Sequence, residues 1–409
     1  MVDFTRTLAS GMGVWWGQAS AEPRPLVDRL LEQAPEIGPL RLFTGLSWND
    51  QLAQSMAPTD TMVSYGGLGA LRALGDSDRL DVVPCHYSAL PRMFAERRLP
   101  SDVGLLQVAP PDREGMCSLG IGVDYMADAA NHTQILYAEI NHRMPVVPGS
   151  PALSIDRFTD TLETDRPLVE EDRRPAGAED RAIAGLVAAL VDDGDCLQVG
   201  IGSMGAAIFD ALSGHRDLGV HTGMITDGVV QLIDKGVVTG SRKQIDTGFA
   251  TAGTALGSTD LYERISSLPV LFRPTSYTHA PQVLARLDSL VAVNFAIEVD
   301  LTGQVGAEIS RGTYLGAVGG QVDFARAAAV TGKRSIIALR STVRGRSSIK
   351  FALDEGVVTT ARADVDCVVT EHGVAHLRGQ PLAERRRRLI EIAAPEFRDG
   401  LAELVRTSL

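Results

Sequence analysis

The sequence has few cysteines, few aromatics and no long apolar run, and each shortage excludes a class of protein. Four cysteines among 409 residues, Cys85, Cys117, Cys196 and Cys367, form no CxxC pair and no zinc-like spacing, so they read as buried reduced thiols. No apolar run reaches the ~18 residues of a membrane-spanning helix. The N-terminus, "MVDFTRTLASGMGVWWGQAS", lacks a basic region followed by an apolar block, which gives no signal-peptide signature. A cytoplasmic chain that binds no membrane is the expectation. Positive charge is also short: 39 Lys and Arg against 51 Asp and Glu leave a net charge of −12, the wrong sign for a nucleic-acid binder. The one dense basic cluster, Arg385 to Arg388 in "AERRRRLIEIAAPEF", lies in an amphipathic helical pattern and reads as a solvated helix face. One local absence is more pointed. Between Glu263 and Asp288 there is no carboxylate at all.

What remains is a soluble globular composition, 44% hydrophobic and 22% charged, on a chain long enough for two domains. In the first half, "PLVDRLLEQAP" has helical spacing, while "PLRLFTGLS", "RLDVVPCHYS", "VGLLQVAPP" and "TQILYAEINHRMP" read as short strands. The charged, proline-containing stretch 161–180 reads as a linker. The second half opens with the helix "DRAIAGLVAALVDDG" and continues with strand-bearing runs "CLQVGIG", "DSLVAVNFAIEVDL", "RSIIALRS" and "CVVTEHGVAHLRG". Apolar strands alternating with helices predict an α/β fold of two open, mostly parallel sheets, one in residues 1–170 and one in 180–409, the latter closed by a helical tail.

Four motifs carry polar or glycine-rich chemistry. "LQVGIGSMGAAIFDAL" sets Gly200, Gly202 and Gly205 at a strand-to-helix junction, where backbone N–H groups can face an anion; tight packing is the plainer reading. "YLGAVGGQVDFARAAA" leads Gly316, Gly319 and Gly320 into Gln321 and Asp323, which fits either close ligand approach or a turn capped by Asp323. "AVNFAIEVDLTGQVGAE" places Asn294, Glu298, Asp300, Gln304 and Glu308 in an apolar setting, where an amide must find a partner. "VVTEHGVAHLRG" ends a buried strand on Glu371 and His372, the end at which open α/β sheets place their sites, although a structural cap or ion pair is equally open for Glu371. No motif has metal-ligand spacing.

Together these blocks, with "DVGLLQVAPPDREGMCSLGIGVDY", "AEINHRMPVVPG" and "LGVHTGMITDGVVQLIDKGVVTGSRK", resemble the acetyl-CoA hydrolase/transferase family almost end to end. The resemblance implies two related α/β domains with the active site in their cleft, an acyl-CoA or related acyl thioester as substrate, and a homodimer or higher homo-oligomer. Coenzyme A would enter as part of the substrate, with no other cofactor. It also implies a glutamate nucleophile that forms a glutamyl-CoA thioester, with backbone N–H groups of the glycine loops holding the oxyanion. Asn294, Gly319 or Gly320, and Glu371 match the assisting positions.

Five positions depart from the family pattern. Aligning Phe272, Arg273, Pro274, Tyr277, Thr278 and Pro281 with it sets Leu271 where the nucleophilic glutamate is expected, and His279 and Ala280 replace Asn-Asp. Gly223 in "HTGMITDG" stands where the family has glutamate, and Phe295 where a small residue is usual. With Leu271 in that place no glutamyl-CoA can form there, and the expectation becomes hydrolysis, C–C cleavage or cyclisation of the thioester. Glu371 and His279 are the candidate bases, with an exposed loop residue the alternative for His279; His221 and His372 read as loop-orienting. A displaced-carboxylate CoA-transferase and a non-catalytic thioester binder stay open. Phe295 narrows one wall, and Gly223 with Leu271 uncharge another, which suits a hydrophobic or cyclic acyl group.

Overall fold

In the computed structural model, described for residues 2–75, 78–171 and 175–407, two parallel sheets meet along a cleft. The first contains β1 (Gly13–Trp16), β2 (Arg41–Phe43), β3 (Thr61–Ser64), β4 (Leu80–Val82), β5 (Val103–Val108), β6 (Ile135–Asn141) and β7 (Phe158–Thr164). Their order is β4-β3-β2-β1-β5-β6-β7, and every neighbouring pair is parallel. β1 and β5 are buried along their whole length, which is why "GVWW" and "VGLLQV" are nearly continuous apolar runs. Successive side chains of β1 point to opposite faces. Trp16 packs with Leu26, Leu30 and Leu31 of α1 (Arg24–Ile37), whereas Trp15 packs with Phe94 and Tyr125 on the other side.

The second sheet contains β8 (Cys196–Val199), β9 (Gly219–Val220), β10 (Leu290–Phe295), β11 (Arg334–Ala338), β12 (Cys367–Thr370) and β13 (Gly373–His376), in the order β9-β8-β10-β11-β12-β13. Only the last pair is antiparallel, so "CVVTEHGVAHLRG" is a hairpin turning at Glu371 and His372 rather than one strand. A tail of two helices, Leu382–Glu391 and Pro395–Thr407, covers that hairpin through Leu389, Ile392 and Leu401. The arginine cluster lies on the first of them, with Arg387 and Arg388 paired to Glu384 and Arg385 bonded to backbone carbonyls. Three of the four arginines are thus held by contacts within the chain.

The stretch 161–180 is only partly a linker. Thr161 to Thr164 extend the edge strand β7, whose outward residues are polar because one side of an edge meets water, and α2 (Ala178–Ala188) already begins within the stretch. Residues 172–174 of it lie outside the described residues.

Two reciprocal carboxylate–serine contacts join the halves. Asp128 of the first half accepts from the backbone N–H (3.0 Å) and hydroxyl (2.6 Å) of Ser276 in the second. Asp323 of the second half accepts from the N–H (3.0 Å) and hydroxyl (2.6 Å) of Ser88 in the first. One contact stands three residues before His279, the other one residue after Tyr87. The contacts therefore fix both sides of a cavity in the cleft.

Candidate active site

That cavity has a volume of about 190 Å³ and draws its lining from both halves. Its second-half wall comes from the ends of β8 and from the glycine loops. β8 runs into Gly200 and Ile201, and Gly202, at φ +98°, turns the chain into α3 (Ser203–Ala211). Gly319 and Gly320 lead in the same way into α4 (Gln321–Thr331). The residues just ahead of each helix, Gly200 and Ile201 before α3 and Gly319 and Gly320 before α4, line the cavity.

The glycines are also there for space. A Cβ on Gly200 would come within 2.8 Å of the Phe295 ring, so Phe295 is seated on the loop. A Cβ on Gly320 would come within 2.5 Å of His279 Nε2, so only glycine leaves room for the imidazole. His279 is 3% exposed, not a solvent-facing loop residue. Its ring is held between Tyr87 (centroids 4.7 Å apart) and Phe324 (4.9 Å). Thr278 Oγ1 lies 2.9 Å from its Nδ1. Burial, reinforced by the neighbouring His221, pushes the imidazole down to about 3, so it is neutral and a weak base. His221 is similarly lowered to about 4 by burial and by Lys243, and it lies 3.0 Å from the Thr278 carbonyl, in the orienting place expected of it.

The other sequence-derived residues divide. Gly200, Gly319, Gly320, Gln321, His279 and Gly223 all line the cavity. Asn294 lies just behind it: its Oδ1 accepts from Gln198 Nε2 at 3.2 Å, while Asn294 Nδ2 and Gln198 Oε1 are buried with no hydrogen-bond partner among the described residues. Gln198 itself lines the cavity. Glu371 does not. It follows β12, three strand spacings and roughly 14 Å from β8 across the sheet. Its carboxylate accepts from the N–H (2.9 Å) and hydroxyl (2.6 Å) of Ser341, and the Ser341 bonds outweigh partial burial to hold it below the usual range. This is the structural cap, not a base in the cavity.

Leu271 is also outside the lining. It sits on the strand Val270–Phe272, where Val270 and Phe272 turn into the core and Leu271, half-buried, faces the other way towards Gly149. Gly223 behaves differently: a Cβ there would stand 3.6 Å from both Cε1 and Nε2 of His279. Of the two positions at which the family pattern has glutamate, the one that faces this cavity is 223.

The residues that sequence reading missed come from the first half. Asp124, Gln18, Tyr65 and Tyr87 line the floor. Gln18 Nε2 donates to Asp124 Oδ2 (2.6 Å) and to Tyr87 (2.7 Å), and its Oε1 accepts from Tyr65 (2.8 Å) and from the N–H of Leu46 (3.0 Å). Among the described residues Asp124 is the only carboxylate in the lining, and no lysine or arginine accompanies it. Burial raises it to about 6 against the hydrogen bonds from Gln18 and backbone N–H groups. The signal was faint but present for two of them, since "GIGVDY" contains Asp124 and "PCHYS" contains Tyr87.

Comparison with known proteins settles the kind of chain this is. Residues 3–166 match the acetyl-CoA hydrolase/transferase N-terminal domain, and residues 257–405 match the C-terminal domain. The chain belongs to the acetyl-CoA hydrolase/transferase family. It is 38% identical over 338 residues to the 4-hydroxybutyrate coenzyme A transferase of Clostridium kluyveri, covering 81% of this chain and 79% of that protein. The solved structure of RipA from Yersinia pestis superposes with a TM-score of 0.92 at 32% identity, covering 99% of this chain and 96% of that one. A 4-hydroxybutyrate CoA-transferase from Porphyromonas gingivalis superposes at 0.83, also at 32% identity, covering 99% and 95%. As a family member the chain is of an enzyme type that handles acyl-CoA, and its cleft has the two-sheet α/β setting of those structures.

Proposed function

We propose that this protein hydrolyses an acyl-CoA thioester by direct attack of water, without a covalent enzyme–CoA intermediate. One observation carries the reading: at position 223, where the family pattern has a glutamate, Gly223 presents no side chain to the imidazole of His279, and Asp124 is the sole carboxylate among the described residues of the lining. Leu271, which stands where the family pattern has its nucleophile, lies outside the lining and has no nucleophilic atom.

Asp124 suits a base better than a nucleophile. Its Oδ2 is tied to Gln18, its Oδ1 lies against the first turn of its own helix, and its Cβ is pressed against Gly253, where an added Cβ would come within 2.8 Å. A carboxylate so held, 2% exposed, cannot swing onto a carbonyl carbon, but a water can lie between the two. A conjugate acid of about 6 keeps it mostly ionised at neutral pH while still able to take a proton. His279, lowered to about 3, is too weak for that task.

The steps balance without a cofactor. The thioester carbonyl lies at the glycine loops, where N–H groups at the starts of α3 and α4 receive the oxygen. Water oxygen bonds to the carbonyl carbon and its proton passes to Asp124. The tetrahedral oxyanion collapses, the C–S bond breaks, and the proton returns to the departing sulfur, giving the free acid and CoA thiol. A transferase must also admit a carboxylate acceptor as an anion. This cavity, with an ionised aspartate and no cationic side chain, opposes that.

Thiol release from an acyl-CoA, followed with a disulfide reagent in the absence of any acid acceptor, tests the proposal. Steady release at a rate that acetate or succinate does not raise is expected. Release only when an acid acceptor is added would restore transferase chemistry. Thermal stabilisation by acyl-CoA without release under either condition would leave a binding protein.

A further inference from the structure

Three rings build one wall of the cavity. Tyr87, His279 and Phe324 form a ladder with centroid spacings of 4.7 and 4.9 Å and interplanar angles of 48° and 65°. Tyr65 meets Tyr87 edge-on at 5.3 Å and 89°. Gln18 pins both tyrosine hydroxyls. The missing side chain of Gly320 makes room for the imidazole, and the hydroxyl of Thr278 anchors it. These are rigid surfaces, so they select by shape rather than adapting to any chain. The rings are packed on one another at 48° and 65°, and all three line the cavity, so the space is bordered by an aromatic surface against which a further ring can pack.

Size and charge narrow the occupant. A 150 Å³ apolar cavity is enough for benzene, so about 190 Å³ takes a six-membered ring and its carbonyl carbon. Acetyl would leave most of it unfilled. The lining holds one ionised carboxylate, a neutral imidazole and no cation, so a second carboxylate on the acyl group would meet repulsion in a low-dielectric site.

We infer that the cavity selects an uncharged acyl group of six-membered-ring size, seated against Tyr87, His279 and Phe324, over short aliphatic and dicarboxylic acyl groups. This deepens the reading of the cavity as the acyl site of a thioesterase and rests on it.

Binding separates the two claims. The probes are the ketone analogues of benzoyl-, acetyl- and succinyl-CoA, in which CH₂ replaces sulfur so that no thiol can leave, titrated by calorimetry into the full chain. The benzoyl analogue is expected to bind at least tenfold tighter than the acetyl one, and the succinyl analogue more weakly than either. Phe324→Leu, which retains an apolar side chain, and Gly223→Ala, whose methyl would stand at ordinary contact distance from His279, should each reduce the benzoyl-to-acetyl ratio at least threefold. Equal affinities for the three analogues, or a succinyl analogue that binds best, would overturn the inference, as would a ratio unmoved in whichever of these variants folds. Tight benzoyl binding without thiol release from the matching thioester would uphold it while removing the hydrolytic reading.

Discussion

Gly223 and His279 are neighbours in the cavity lining: a β-carbon placed on the glycine would lie 3.6 Å from both Cε1 and Nε2 of the imidazole. The distance is ordinary van der Waals contact, and the φ of Gly223 is not in the left-handed region, so a side chain can stand there. A carboxylate can therefore be introduced at this point. Gly223→Glu should form a covalent CoA adduct on residue 223 when incubated with acyl-CoA, detected by borohydride or hydroxylamine trapping and peptide mass mapping. The wild type should give none. An adduct-free Gly223→Glu that folds and still binds acyl-CoA would show that position 223 does not address the carbonyl carbon.

Asp124→Asn separates catalysis from stability. The amide cannot accept the proton of the attacking water, so kcat should fall by about 10²- to 10⁴-fold, the usual contribution of a positioned base. In the wild type, kcat/KM should rise with pH through about 6, where Asp124 ionises, and the variant should lose that limb.

Stability should move the other way. The folded value of about 6 lies above the ordinary 3.8, so the native state holds this proton when the unfolded chain has released it. The stabilising contribution is complete below about pH 4 and is lost as pH rises to 6, a difference of about 3 kcal/mol. Glu22, raised by burial to about 7 against bonds from Ser47 and Trp16, acts in the same sense between about 4.5 and 7. Asp124→Asn should therefore raise Tm at pH 7.5 relative to wild type and change it little at pH 4. A lower Tm at pH 7.5 would mean that the charged network, not the desolvated carboxylate, dominates.

The histidines carry the opposite sign. His221 and His279, buried and lowered to about 4 and 3, are neutral when folded but take up protons below about 6.5 when unfolded. Their contribution is complete above pH 6.5 and is lost as the pH falls towards 4 and 3. His221→Gln should flatten the fall in stability between pH 6 and 4 measured by urea titration. An unchanged slope would show that another group carries it.

The serine contacts between the halves give a mechanical prediction. Ser88→Ala removes the 2.6 Å bond to Asp323, leaving a part-buried carboxylate oxygen without its hydroxyl partner. A loss of about 1–3 kcal/mol is expected, and Ser88→Thr should recover most of it. Recovery by Thr absent, with Ala nearly neutral, would mean that the two halves are held elsewhere.

How far the sequence could be read follows from the range of the interactions. Parallel strands announce themselves locally, since burial on both faces forces runs such as "VGLLQV" and "RSIIALRS", and the glycine loops sit next to them. The central strand "GVWW" escaped notice because it is only four residues long and follows an irregular start. His279 invited a loop reading because Tyr-Thr-His-Ala-Pro is turn vocabulary, whereas its burial is decided by Tyr87 and Phe324, far away in the chain. Glu371 looked like a site residue from its place at a strand's end, but which strand end borders the cleft depends on sheet order, not on the strand itself. The Gln18–Asp124 bond spans 106 residues, and no local pattern encodes it.

The most direct measurement is a single turnover in H₂¹⁸O with enzyme in excess over acyl-CoA, followed by mass spectrometry of the acid product and of the peptide containing Asp124. Direct attack by water predicts one ¹⁸O in the acid and none in any protein carboxylate. An unlabelled acid together with ¹⁸O in Asp124, or in any other aspartate or glutamate, would mean that a side chain attacked the thioester first, contradicting the direct route.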